Sequence, residues 1–113
     1  MGSYNGGDPG AFFKAGLAAA DPLVDFSKFD VVYVLPPSSV AFKQIAYGPA
    51  FPSAVDTSVF PTNDGNVLNG SVGGADAWQS LEGAQWKWMA HETGHLFGLF
   101  DWYTLDNTNP YGP

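Results

Sequence analysis

The chain has two histidines, His91 and His95, and both fall inside one stretch, HETGHLFGLFD, residues 91–101. A separation of four residues is about 1.1 turns of an α-helix, so the two imidazoles project from one face. At that spacing two ring nitrogens can converge on a single zinc ion at about 2.0–2.1 Å. Glu92 lies about 100° further round the helix. From there its carboxylate is offset from the metal and is placed to contact a metal-bound water instead.

A catalytic zinc needs a third protein ligand and one open position. No histidine remains to supply that ligand, and no glutamate follows Glu92. Asp101 is the best remaining donor. Gly98 lets the backbone leave the helix sharply, so that the chain can fold back and bring Asp101 under the metal. Asp106 is the alternative. At average residue frequencies the whole string H-E-x-x-H-x-x-G-x-x-D arises by chance about once in 10⁵ chains of this size. A solvated helix face is therefore a poor explanation of it.

The motif needs a helix to carry it. Residues 80–97, SLEGAQWKWMAHETGHLF, read as the longest helix, with Ser80 as cap, Glu82 in the first turn and Gly98 as left-handed stop. Trp78, Trp86, Met89, Ala90, Leu96 and Phe97 supply its apolar surface, and such a stripe is expected in the core. Asp8-Pro9 and Asp21-Pro22 bracket a second, shorter helix over residues 9–20.

Phe29–Leu35, closed by two prolines, is the clearest strand. Its unbroken apolar run predicts a central strand covered on both faces. Residues 40–48, 54–60 and Val67–Leu68 are further strand candidates. TNDGNVLNG, residues 62–70, has the oxygen-rich character of a calcium loop, and calcium stands as a second cofactor only through it. The segment lacks the full ligand spacing and the bidentate glutamate, so a plain turn is the better reading.

At 113 residues, 45% hydrophobic and 16% aromatic, the chain has room for one domain with a genuine core. Residues 1–10 are turn formers and read as a flexible segment ahead of a domain over 11–113. With no cysteine there is no disulfide framework, no cysteine-based zinc finger and no thiol nucleophile. Eleven acids against four lysines and no arginine give a formal charge of −7, which argues against nucleic acid and anionic membranes as partners. No signal peptide is visible, and Met1-Gly2-Ser3 reads as an expression scar.

HETGHLFGLFD resembles the metzincin zinc-protease signature H-E-x-x-H-x-x-G-x-x-H with aspartate in the third place. The aspartate form resembles snapalysin and, more closely in its flanks, the immune inhibitor A-like secreted bacterial metalloproteases. Their run HE-x-GH-x-x-GL-x-D-x-Y is met here by His91-Glu92, Gly94-His95, Gly98-Leu99, Asp101 and Tyr103. The upstream AAADPLVDFSKFDVVYVLPP, residues 18–37, is similar to the strand region that precedes the active-site helix in that group.

The resemblance implies an α/β (α+β) zincin-like fold, a twisted mixed sheet packed against an N-terminal helix and an active-site helix. It implies His91, His95 and Asp101 as zinc ligands and Glu92 as general base of a secreted bacterial metalloendopeptidase. It also implies an edge strand, over 40–47 or 54–60, that binds extended peptide by strand addition. Tyr103 would orient the site or stack on substrate, with packing as the alternative role. The expected partner is a peptide or protein substrate, with no nucleic acid and no membrane, and the expected state is a monomer.

Two departures bear on this. Metzincins carry a methionine turn beyond the third ligand, whereas Met1 and Met89 are the only methionines here, and residues 1–10 cannot easily form the family's first strand. The expectation is a catalytic domain without its C-terminal subdomain. The alternative function is a non-catalytic module that keeps zinc for stability and binds protein partners.

Overall fold

The computed structural model describes residues 8–37, 50–52, 60–73 and 83–101. Helix α1 spans Pro9–Ala20, as the bracketing Asp-Pro pairs predict. The Asp8 carboxylate accepts from the Ala11 amide at 3.1 Å, and Pro9 takes the first helical position, where no N–H is needed. At the other end Asp21 turns outward, and its two carboxylate oxygens accept from the Asn63 amide at 3.1 and 3.0 Å. The residue that stops the helix thereby clips it to a turn forty-two positions away.

Five short strands follow: β1 Val32–Val34, β2 Ala50–Phe51, β3 Phe60–Thr62, β4 Gly65–Val67 and β5 Gly70–Val72. They form a mixed three-stranded sheet in the order β1-β5-β2 and a separate β3-β4 hairpin. β1 runs parallel to β5, with Tyr33 opposite Ser71, and β2 runs antiparallel to β5, with Ala50 opposite the same serine. Helix α2, Gln85–Leu96, completes a small α+β fold.

Strand alternation assigns the two sheet faces. Val32, Val34, Gly70, Val72 and Phe51 share the face that α1 covers, and Phe13, Leu17, Phe26, Phe60, Val67 and Val72 form the buried cluster there. Phe13 is its centre, fully buried, with ring centroids 4.7 Å from Phe60 and 5.5 Å from Phe51. Gly70 makes this packing fit. A Cβ placed there would lie 2.2 Å from Phe13 Cζ, so no larger residue fits without moving the ring. The opposite face carries Tyr33, Ser71 and Ala50 towards α2, and the Tyr33 ring meets Trp88 edge-on at 6.4 Å.

Several expectations need correction. The strand expected over Phe29–Leu35 narrows to Val32–Val34, and Phe29 and Leu35 are exposed. Its only partner among the described residues is three residues long, and a parallel ladder reaches no further than its shorter member. Helices do cover both faces of β1, but the central strand is β5, which its short Gly-Ser-Val sequence did not announce.

The antiparallel edge strand is Ala50–Phe51, between the two candidate stretches. Residues 40–48 and 54–59 lie outside the described residues. Phe60 opens β3 in the hairpin instead of joining the sheet. The Val67–Leu68 candidate becomes Gly65–Val67, with Leu68 exposed. Thr62–Gly65 forms the hairpin turn, as read, and the Asp64 carboxylate there accepts from the Phe26 amide at 3.2 Å.

Candidate metal centre

Helix α2 begins later than the sequence suggests. Gly83 has φ +75°, Ala84 precedes the first turn without a side-chain cap, and the helix proper starts at Gln85. The expected cap, Ser80, and the expected first-turn residue, Glu82, both precede that start. Both lie outside the described residues, as does Trp78.

The expected core stripe is also rotated. The face turned to the sheet runs through Gln85, Trp88, Glu92 and Leu96, and Trp88 is its buried member. Trp86, Met89, Ala90 and Phe97 are exposed. Trp86, Ala90 and Phe97 sit more than a quarter-turn from the centre of that face, since each residue advances about 100°, whereas Met89 lies at its margin.

The helix ends as expected at Gly98, whose φ is +84°. The Gly98 amide donates to the His95 carbonyl at 2.9 Å and the Leu99 amide to the Gly94 carbonyl at 3.1 Å. That pair of bonds is the Schellman closure, which requires a left-handed residue at the position Gly98 occupies. The turn reverses the chain, and the Leu99 carbonyl comes to rest 2.7 Å from His95 Nδ1. A carbonyl only accepts, so Nδ1 carries the proton and Nε2 presents its lone pair. The same turn brings Asp101 back over the helix.

The result is a tight triangle. His91 Nε2 and His95 Nε2 are 3.0 Å apart, and Asp101 Oδ1 lies 3.0 Å from the first and 3.3 Å from the second. Ligands on a tetrahedral zinc with bonds of about 2.0–2.1 Å are separated by roughly 3.3–3.4 Å. A point about 2.05 Å from all three atoms lies about 1.0 Å off their plane. His95 Nε2 and Asp101 Oδ1 are acceptors, and His91 Nε2 meets both. A divalent ion placed among the three atoms could satisfy all of them at once.

Glu92 belongs to the same cluster. His91, Glu92 and His95 offer ligand atoms within 4.8 Å of one another and could hold a metal ion. Glu92 Oε1 stands 4.0 Å from His91 Nε2, farther than Asp101, and its side chain is the least exposed of the four at 12%. Asp101 Oδ1, at 3.0 Å, is thus the nearer carboxylate oxygen to His91 Nε2. The alternative third ligand, Asp106, and Tyr103 lie outside the described residues.

Two features escaped the sequence reading. The Leu99 carbonyl that orients His95 is a backbone group, and the glycine stop before it was the signal available. The second is an anchor on the far side of the helix. The Thr93 hydroxyl donates to the Met89 carbonyl at 2.6 Å and also bonds the Tyr33 hydroxyl. Thr93 has one proton, so Tyr33 is the donor in their bond. Sixty residues separate the two, and no local pattern announces such a pair.

Beside His95 lies a cavity of about 200 Å³, lined by Ala50, Pro52, His95, Gly98, Leu99 and Phe100. Among the described residues no helix is long and apolar enough to cross a membrane. Comparison with protein-family models, with curated proteins and with solved structures finds no match to this chain.

Proposed function

We propose that this chain is a zinc metalloendopeptidase domain of the metzincin type, acting outside the cell on peptide bonds of protein substrates. The observation that carries the reading is the His91–His95–Asp101 triangle, with His95 held in its metal-binding tautomer by the Leu99 carbonyl. The donor set, two imidazoles and one carboxylate, suits zinc in a site with one open position. Bound zinc would supply Lewis acidity, bringing the pKa of a water towards about 7 and polarising the scissile carbonyl.

The protein's own groups do the rest. His91 and His95 bind through Nε2, and Asp101 adds an anionic oxygen that lowers the net charge of the centre. Glu92, one step round the helix, accepts a proton at its carboxylate from the attacking water and passes it to the departing amine. Tyr33 and Thr93 hold the helix to β1 from the opposite side, so the ligand face stays aimed past the edge of the sheet.

A Glu92→Gln comparison tests this. Wild type is expected to cleave casein or an unstructured peptide, and the variant to lose about 10²–10⁴-fold in rate while holding zinc at the same ratio. Equal inertness of both with zinc bound would favour the non-catalytic zinc module. A chain that holds no zinc after purification without chelators contradicts both readings.

A further inference from the structure

We infer that Asn69–Gly70, the link leading into the central strand, is a latent modification site. Folding holds it inert, and opening of β2 from β5 commits it to deamidation. The reaction calls on none of the metal ligands.

The residue pair supplies the chemistry. With no side chain on Gly70 to hinder approach, its amide nitrogen can attack the Asn69 Cγ. A bond forms from Gly70 N to Asn69 Cγ, and the side-chain nitrogen leaves as ammonia, taking the amide proton. The five-membered succinimide ring so formed is opened by water at either carbonyl, giving aspartate or isoaspartate. Water is the only co-reactant.

The fold withholds the nucleophile. The Asn69 carbonyl accepts from the Val32 amide at 3.1 Å, so it points at β1. The peptide is trans and planar, so the Gly70 N–H points the opposite way, towards β2, where Phe51 is its register partner. One peptide plane is thus held from both sides, and Gly70 itself is buried. Ring closure needs that plane to rotate until the nitrogen meets Cγ, which the two neighbouring strands prevent.

The β2 side is the one that gives. β2 is two residues long against three for β1, and Pro52 follows it with no N–H to extend the ladder. So short a pairing opens at lower cost than the sheet as a whole. The product cannot then fold back. Gly70 lies against the Phe13 ring, where a Cβ would come within 2.2 Å of Cζ, so the strand has no slack there. Isoaspartate puts an additional carbon in the main chain just before Gly70 and leaves the old backbone carboxyl as a charged side group. The Asn69–Val32 bond and the Gly70–Phe51 register cannot both survive that change.

The test follows Asn69 in the full chain by peptide mapping at mildly alkaline pH, with an acetylated, amidated peptide of residues 66–72 as the unfolded reference. Conversion in the folded chain is expected to be about 10-fold or more slower than in the peptide, and to rise in urea below the unfolding midpoint. Phe51→Ala, which weakens the β2 side, should speed conversion by about 3-fold or more, and the urea series on wild type stands if that variant fails to fold. Aged wild type should lose native circular dichroism in step with isoaspartate, whereas Asn69→Gln, whose longer side chain closes the ring far more slowly, should keep it. Conversion of the folded chain at the peptide's rate overturns the inference. So does a slow rate that urea does not raise, or a chain carrying isoaspartate at position 69 that melts like wild type.

Discussion

Replacing Gly98 by alanine separates two roles that one residue plays. Its φ of +84° lies in the left-handed region, and a Cβ built there meets nothing within 4 Å. The cost of the methyl group is thus backbone strain alone, about 1–2 kcal/mol for an L-residue in that region. At about 2.1 cal/mol/K per residue, 113 residues give an unfolding entropy of about 0.24 kcal/mol/K. Melting followed by circular dichroism in EDTA should therefore show Tm falling by about 4–8 °C. If the chain instead relieves the strain by unwinding its last turn, the Leu99 carbonyl leaves His95 Nδ1. Zinc affinity should then fall about 10–100-fold, the usual cost of losing such a partner behind a ligand. Gly98→Asn should sit between wild type and alanine in both assays, because asparagine tolerates the left-handed region. An alanine variant that melts and binds zinc like wild type would refute the turn, and with it the account of how Asp101 reaches the site.

Other substitutions probe the scaffold and the ligands. Gly70→Ala should destabilise the fold by about 1–3 kcal/mol in urea denaturation, since its methyl must displace the Phe13 ring. Tyr33→Phe removes the donor to Thr93 and should cost about 0.5–1.5 kcal/mol in the same assay, with zinc affinity little changed. Zinc at 100 times its dissociation constant should stabilise wild type by about 2.7 kcal/mol, an increment that EDTA abolishes. Asp101→Asn should weaken zinc binding in a competition titration with a chromophoric chelator and leave the melting temperature in EDTA near that of wild type.

Local chemistry was readable from sequence where it decided local structure. Asp8-Pro9 and Asp21-Pro22 mark both ends of α1 because capping and proline geometry are properties of adjacent residues. Gly98 marks the end of α2 for the same reason. The spacing of His91 and His95 places both rings on one helical face, where their Nε2 atoms meet. Decisions made over long separations were not readable. β5 is central because Gly70 admits the Phe13 ring and Ser71 is buried under α2, neither of which a Gly-Ser-Val run displays. Likewise the apolar residues of α2 surround most of the helix, and only packing against Tyr33 selects Trp88 from among them. The strand at the sheet edge was missed because two residues, Ala50 and Phe51, are too few for any periodicity to register.

An X-ray absorption spectrum at the zinc edge, taken on the purified chain loaded with one equivalent of the metal, tests the centre most directly. About four nitrogen or oxygen neighbours near 2.0–2.1 Å are expected, with the multiple-scattering signature of two imidazoles. Asp101→Asn should alter that shell while the two imidazoles remain. A spectrum with one imidazole or none, or a first shell indifferent to the change at Asp101, would contradict it.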